Sequence, residues 1–480
     1  MPADHSADVV ILGGGPAGLA AAWRVARTGR SAILLERAAA VGGMAASFEV
    51  GGMRVDRGSH RLHPATEPDL LADLRGLLGE DLQTRPRHGR LSLYGRWVGF
   101  PLRAGELLRA VPPGAALRIA RDVSSTPITK VRRRGWSPYR EPGSYGDALE
   151  RSLGPELYSA IHEPFARKLW GISGDEIDVE QARRRVTADT PWKVAARLLR
   201  RRLSSTSGAG GQGRIFFYPR RGFGQIVDVL ADAAVSAGAQ ISTSAEVASV
   251  VTRGGRPMVV DAGGTTYDAG RVFSTLPLPV LARITRPLPS QTLLDEASTL
   301  KFRAVVLVYV VHSGGRWTEY DAHYLPDRDT PVTRISEPAN YRVSSDDPQD
   351  RSVVCAEIPC EVGDHIWRSP DADLAEVVLD TARRHRLPEL RVSDVVVRRM
   401  PHVYPVYRIG YATPLAAVDT WAHGLAGVTT FGRLGLFAHD NTHHALAMAR
   451  DAVASLTADG WDERAWSAAR ERFARHVVED

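Results

Sequence analysis

The stretch Asp8-Val-Val-Ile-Leu-Gly13-Gly-Gly15-Pro16-Ala17-Gly18-Leu-Ala-Ala-Ala-Trp, which closes at Ile33-Leu-Leu-Glu36, decides the fold. Val9 to Leu12 are continuously apolar, as in a parallel strand buried on both faces. Gly13 permits a tight turn, Gly15 lets a pyrophosphate approach the backbone, and Gly18 lets the following helix lie close to the sheet. The first turn of that helix offers unpaired N–H groups and the positive end of its dipole to phosphate. Glu36 ends the next strand at the distance where a carboxylate accepts ribose hydroxyl hydrogen bonds. Strand, glycine turn, helix and acid together predict a dinucleotide-binding unit, whereas the glycine pattern alone would fit any turn before a helix.

At 480 residues with 44% hydrophobic content, the chain is long enough for about two or three domains with a large core. The formal charge is +6, carried by arginine; Lys stands only at 130, 168, 193 and 301. So uniform a bias reads as composition and gives no reason to expect nucleic acid. Two cysteines, Cys355 and Cys360, exclude a disulfide framework and a four-cysteine metal site. The short lead into the first strand predicts no signal peptide, and no apolar run reaches a membrane span. The expectation is a cytoplasmic protein with at most peripheral membrane contact.

Glu36-Arg37-Ala-Ala-Ala-Val-Gly42-Gly43-Met44-Ala resembles the extension after the acid in glutathione-reductase-type flavoproteins, which implies FAD. Gly58-Ser59-His60-Arg61-Leu-His63 follows an alternating stretch that predicts a small hairpin, and precedes a predicted helix over 67–78. This segment resembles one in UDP-galactopyranose mutases and protoporphyrinogen-oxidase-like proteins, where it runs past the flavin ring. An imidazole there can exchange protons or hydrogen-bond the ring. The histidines could equally pack the loop, and a two-histidine metal site is disfavoured because no acidic or cysteine partner lies nearby. No metal is expected.

Further matches follow in family order. His162-Glu-Pro-Phe-Ala-Arg-Lys-Leu-Trp170-Gly resembles a segment that helps line the substrate space. Phe216-Phe-Tyr218-Pro-Arg220-Arg-Gly-Phe-Gly-Gln resembles a stretch common to these flavoproteins. Val247 matches the strand position whose backbone pairs with adenine. Val332-Thr-Arg334-Ile-Ser-Glu-Pro-Ala-Asn-Tyr341 resembles a mutase segment facing a sugar-nucleotide diphosphate, although the Lys-His-Phe that ends it there is absent. Tyr404-Pro-Val-Tyr407-Arg408-Ile-Gly-Tyr approaches the same site in relatives. Gly432-Arg433-Leu-Gly-Leu-Phe-Ala-His-Asp440-Asn441-Thr442 resembles the C-terminal flavin segment, whose helix would aim N–H groups at the pyrimidine edge.

The chain thus resembles the superfamily joining protoporphyrinogen oxidase, amine oxidases and UDP-galactopyranose mutase, most closely its protoporphyrinogen-oxidase-like members. That implies an α/β fold in which a Rossmann-type, glutathione-reductase-like FAD-binding domain (1–84, 214–280, 400–480) carries an inserted substrate domain of antiparallel sheet and helices (85–213, 281–399). Strands at 304–311, 320–324, 353–359 and 392–399 should form a half-exposed sheet crossed by a helix over 371–385. A basic amphipathic stretch over 192–203 admits either a solvated face or a membrane-surface role.

The resemblance implies an oxidoreductase in which a small organic substrate, sugar-containing or lipid-like, gives hydride to flavin N5. The rivals are a mutase-type isomerase using reduced flavin as nucleophile, and a membrane-surface protein with structural FAD. An arginine- and tyrosine-lined cavity would suit the mutase, an apolar one the oxidase. Catalytic candidates are His60, His63, Arg334, Tyr404 and Arg408. Substrate candidates are Arg61, Trp170, Tyr218, Arg220, Tyr341 and Tyr407. The cofactor set is Gly13, Gly15, Pro16, Ala17, Gly18, Glu36, Arg37, Gly42, Gly43, Met44, Gly58, Ser59, His60, Val247, Gly432, Arg433, Asp440, Asn441 and Thr442.

Overall fold

A computed structural model describes residues 3–100, 110–125, 142–185, 215–253, 256–261, 263–458 and 460–478. The basic stretch 192–203, the arginines at 132–134 and the Ser/Gly-rich stretch 204–213 lie outside these residues. Two large sheets organise the rest, one of eight strands and one of seven.

The opening strand His5–Leu12 sits in the middle of the eight-stranded sheet, parallel to Ala32–Leu35 on one side and Thr266–Ser274 on the other. Gln240–Ser242 extends the parallel set at one end, and Val428–Thr430 pairs parallel with Thr266–Ser274. Because Leu12 aligns with Leu35 and Ser274, and Ser274 with Thr430, these strands all end on one line. In an open parallel sheet that line is where ligands bind. Val247–Arg253 and Arg256–Asp261 form an antiparallel branch on Thr266–Ser274.

The helix Pro16–Arg27 buries Leu19, Ala20, Ala22, Trp23 and Val25 against one face of the sheet and against helices Gln225–Ser236 and Thr442–Ala454. Small side chains along this helix permit the close approach. Gly18 is the extreme case, since a Cβ there would stand 1.9 Å from the Gly13 carbonyl oxygen. Gly13 itself has φ +101°, a conformation few side-chain-bearing residues adopt.

The seven-stranded sheet runs Val392–Pro405, Phe302–Ser313, Arg351–Cys360, Arg334–Ser336, Ala322–Tyr324, Gly89–Leu93, Arg96–Phe100 in spatial order. The expected half-exposed sheet is corrected here: Phe302–Ser313 and Arg351–Cys360 are buried on both faces. Val306, Val308, Val310, Ala356 and Ile358 pack under the helix Asp371–Arg384. Val305, Leu307, Tyr309, Val353 and Cys355 face the other way, onto the hairpin Ser47–Val50/Met53–Asp56. Sandwiched strands read as continuous apolar runs, which these two do.

Asp56, at the end of that hairpin, is a buried hub. Its carboxylate accepts hydrogen bonds from Tyr218 Oη, Ser47 Oγ at 2.6 Å and the Phe223 N–H at 2.9 Å, while its carbonyl accepts from Tyr309 Oη at 2.6 Å. Among helical segments, Tyr145–Leu153 starts at an N-cap Ser144 that accepts from the Asp147 N–H, the geometry that favours serine there. No helix among the described residues is long and apolar enough to cross a membrane.

Gly18→Ala tests the helix–sheet contact. The added methyl must displace the Gly13 turn, so denaturant titration should show a loss of about 1–3 kcal/mol; unchanged stability would mean the turn relaxes freely.

Candidate active site

A cavity of about 620 Å³ opens at the C-terminal edge of the parallel strands and runs across to the seven-stranded sheet. This is within the roughly 300–1,000 Å³ usual for small-molecule and cofactor sites. At its first end lie Gly13, Gly15, Pro16, Ala17, Glu36, Arg37, Gly43, Met44 and Val247. A methyl built on Gly15 meets no protein atom within 4 Å, so it would occupy the cavity itself, and Gly43 backs directly onto the Gly15 Cα. Glu36 is fixed by the Gly14 N–H and the Ala38 N–H, both at 2.8 Å. A bulge interrupts strand pairing just after Val247. A glycine cradle at a helix N-terminus, an oriented carboxylate one strand away and a strand edge beyond it fit the pyrophosphate, ribose and base of FAD.

Gly18 and Gly42 do not line the cavity; they are packing positions, Gly42 tight against Ala46 and Val227.

The middle is floored by Arg57, Gly58, Ser59, His60, Arg61 and His63 and closed by Gly432, Arg433, Asp440, Asn441 and Thr442. His60 stacks on Phe223 at 5.2 Å, and its Nε2 is 3.0 Å from the Arg57 carbonyl. A carbonyl only accepts, so Nε2 carries the hydrogen and Nδ1 keeps its lone pair. Burial lowers the His60 pKa below the usual 6.5, only partly opposed by the Asp56 carboxylate and the Arg57 carbonyl. His63 Nδ1 accepts from the Ala65 N–H at 3.0 Å.

The far wall comes from the seven-stranded sheet and the helix Glu163–Trp170: Phe165, Leu169, Tyr324, Thr333, Arg334, Glu357 and Tyr404. Arg334 is no surface ion pair. Its Nη2 donates to both oxygens of the buried Glu357 at 2.8 Å and its Nε to one of them at 3.1 Å. Glu357 also accepts from the Ser59 N–H at 2.9 Å, tying the His60 loop to the wall. Arg61 lies over the rings of Phe216 and Tyr341, pairs with Asp321 at 3.1 Å and donates to Tyr324 Oη at 3.2 Å. The guanidinium groups of Arg185 and Arg433 sit over the Tyr404 ring at 5.5 and 5.2 Å, and burial raises that phenol's pKa.

Several sequence candidates stand elsewhere. Arg408 is 63% exposed and paired with Glu176 at 2.7 Å. Arg220 is paired with Asp81 at 3.1 Å, also near the surface. Trp170 packs edge-on to Tyr145; its helix turns Phe165 and Leu169, one turn apart, to the cavity, and Trp170 lies round from that face. Tyr218 serves the Asp56 hub. Tyr341 stands one layer back, bonded to Ser59 Oγ and Arg61. Tyr407 stacks on Tyr411 at 4.1 Å and donates to the Phe437 carbonyl. The motifs missed Glu357, Tyr324, Phe165 and Arg185. Glu357 carried a signal of its own, a lone charge inside the apolar run Val353-Val-Cys-Ala-Glu357-Ile.

Glycine cradle and sheet-edge cavity define a flavin-binding enzyme of the two-sheet type. Residues 16–455 match the flavin containing amine oxidoreductase family. The chain belongs to that family and is an FAD-dependent enzyme. The reduced form of a UDP-galactopyranose mutase superposes with a TM-score of 0.81 at 18% identity, covering 98% of this chain and all of that one. A protein from Exiguobacterium sp. 255-15 assigned as a protoporphyrinogen oxidase gives 0.71 at 18% identity, covering 95% and 99%. Phytoene dehydrogenase of Streptomyces griseus is 42% identical over 84 residues, which is 18% of this chain and 15% of that protein.

Two variants probe the site. Gly15→Val should leave the chain folded but unable to retain FAD, read by absorbance after gel filtration; a yellow variant would remove Gly15 from the cofactor contact. Glu357→Ala strands the Arg334 charge and should cost about 3–5 kcal/mol in chemical denaturation, with much of it regained when Arg334 becomes Met as well. A loss that the second change does not relieve would show that the pair is not the cause.

Proposed function

We propose that the chain is an FAD-dependent dehydrogenase or oxidase acting on a small organic substrate that carries negative charge, working in the cytoplasm. One observation carries this reading, the match of residues 16–455 to a family of flavin-containing amine oxidoreductases; a single cavity joining the glycine cradle to the apolar Phe165, Leu169, Val305 and Leu307 and to Arg61, Tyr324, Arg334 and Tyr404 supports a substrate beside the cofactor. FAD, when bound, supplies a hydride acceptor. The chain's own residues must then orient the substrate, exclude water and manage its proton.

Eight arginines against four acidic residues line the cavity among the described residues. Much of that charge is already matched, Arg61 by Asp321 and Arg334 by Glu357. The balance still favours an anionic group on the substrate, held by arginine N–H donors. Phe165, Leu169, Val305 and Leu307 supply an apolar surface beside it. We assign to His60, which lines the cavity and whose Nε2 is tied to the Arg57 carbonyl, the role of taking a substrate proton at Nδ1. We assign Tyr404 and Arg334 to substrate orientation and His63 to holding the loop. The cofactor assignments made from the motifs stand as proposals for the residues that line the cavity. The two-domain division remains part of this reading, with its last boundary, between 399 and 400, moved because the strand Val392–Pro405 runs through residue 400.

A second reading is favoured by the same wall. Arginines and tyrosines suit the diphosphate of a sugar nucleotide, and the protein would then be a mutase-type isomerase. Anaerobic mixing decides between them. An oxidoreductase bleaches its oxidised flavin with substrate alone and consumes acceptor mole for mole with product. Turnover only after pre-reduction with dithionite, without acceptor use, would establish the isomerase.

His60→Ala should slow flavin reduction by about 10²–10⁴-fold without loss of FAD. Because burial lowers the His60 pKa, the wild-type rate should fall with acid only below about 6.5, as the neutral imidazole is lost. Stopped-flow rates across pH check both, and an unchanged rate in the variant would leave His60 as a packing residue.

A further inference from the structure

Beneath the part of the cavity lined by Asp440, Asn441 and Thr442 lies a cluster in which Asp440 meets two histidines outside the motifs. The Asp440 side chain is fully buried at the N-terminus of the helix Thr442–Ala454. Its Oδ1 is 3.0 Å from His476 Nδ1 and 3.2 Å from His444 Nδ1. The two imidazoles are stacked on each other, centroids 4.2 Å apart and planes 15° apart. Oδ2 is buried and has no hydrogen-bond partner among the described residues.

Charge balance restricts what this arrangement can hold. With both rings neutral, a buried carboxylate is left uncompensated, which is costly. With both rings protonated, two cations face each other at stacking distance. One proton for the pair leaves the cluster neutral. His444 cannot be the sole fixed donor, because its Nδ1 also lies 3.2 Å from the Asn441 N–H and accepts it as the helix cap. One lone pair cannot serve that cap while its nitrogen donates a proton to Asp440. While that cap bond stands, the proton is seated on His476 Nδ1, and His444 takes it only by giving up the Asn441 N–H. Both rings are slightly exposed, so it can exchange with water.

The groups facing the cluster do not replace it. Burial raises and the two histidines lower the Asp440 pKa, with a net lowering that keeps it ionised. His443 is pushed down to about 2 by burial and by His444 and His63, so it stays neutral. Arg433 donates from Nη1 to the Asp440 carbonyl, not the carboxylate. Arg184 is held by Glu180 and the Ala474 carbonyl, and Tyr407 by the Phe437 carbonyl. A shared metal is disfavoured by the stacking: in-plane lone pairs of near-parallel rings cannot converge on one ion at about 2.0–2.1 Å.

We propose that His444 and His476 are positioning residues for the cofactor: they share one proton over Asp440, and the charge of this cluster sets the reduction potential of FAD and makes it respond to pH. The proposal rests on the reading that the flavin ring occupies the middle of the cavity, beside Asn441. Electrons added to the cofactor bring negative charge, which a neighbouring proton stabilises and a bare carboxylate opposes.

The test is a spectroelectrochemical titration of FAD-loaded full chain between pH 6 and 9. In the His444→Gln/His476→Gln double variant, amide N–H groups keep the bonds to Asp440 but hold no extra proton. Its potential should fall by at least a tenfold change in the oxidised-to-reduced ratio, about 30 mV for a two-electron couple, and lose a pH-dependent component seen in wild type. Each single variant should shift less than the double, and His476→Gln more than His444→Gln, because only His476 can hold the proton with the helix cap intact. A yellow double variant with wild-type potential and pH profile overturns the proposal; a wild type that binds no FAD overturns the flavin reading instead. Should the double variant not fold, nitrogen NMR of histidine-labelled wild type decides. One imidazolium between the two rings at pH 7 supports the shared proton, and none, two, or stoichiometric bound zinc overturns it.

Discussion

One buried carboxylate holds the two halves of the cavity in register. Glu357 sits mid-strand in Arg351–Cys360, whose two faces are both covered, so it cannot reach water and must be answered from within. Arg334 answers it through Nε and Nη2, and the Ser59 N–H takes up remaining acceptor capacity. The first partner belongs to the substrate wall and the second to the loop bearing His60. The next residue back, Gly58, donates to Tyr309 Oη, which in turn donates to the Asp56 carbonyl. The position of His60 beside the cavity is thus set by the seven-stranded sheet through its neighbours Gly58 and Ser59, as well as by the Arg57 carbonyl of its own loop and the Phe223 ring. A pair buried this deeply adds little net stability but makes any other arrangement of the loop expensive.

The other half of the geometry is a consequence of strand register. Four parallel strands end together, and residues one or two past each end, Gly13, Glu36, Thr275 and Gly432, all reach the same cavity. Residues scattered from position 13 to position 442 meet because the sheet collects their strand ends. The helices starting at Pro16 and Thr442 bring two N-termini to that rim, one at the cradle and one at the middle of the cavity. Anionic groups are favoured at both.

This explains which features were legible in the sequence. The glycine turn, its flanking strands and the hairpin before Gly58 are local, and the chemistry that fixes them lies within a few residues. The two-sided burial of Phe302–Ser313 showed only as its continuous apolar run, without its partners, because its covers, the helix Asp371–Arg384 and the hairpin ending at Asp56, come from far along the chain in opposite directions. Motif resemblance located neighbourhoods but not orientations. Within Tyr404-Pro-Val-Tyr407-Arg408, Tyr404 reaches the cavity, Tyr407 turns into a buried stack, and Arg408 turns outward to Glu176. The Asp440 cluster had no local signature beyond an i, i+4 pair, since its third member lies 36 residues on, past another helix.

The arginine-rich wall bears on substrate more through its pairings than through its count. An arginine locked by a carboxylate offers directed N–H donors but little net field, so Arg61 and Arg334 can recognise a planar polar group without demanding full charge. Arg185 and Arg433 instead lie over the π face of Tyr404, where the ring lowers the cost of keeping guanidinium groups close together. Two cations gathered on one aromatic ring concentrate positive potential at that end of the cavity, beside the apolar patch of Phe165 and Leu169. The wall is therefore divided, with directed donors near the His60 loop and concentrated charge near Tyr404. On the proposed reading, a matching substrate would have a polar reacting end toward His60 and an anionic group on an apolar frame reaching Tyr404.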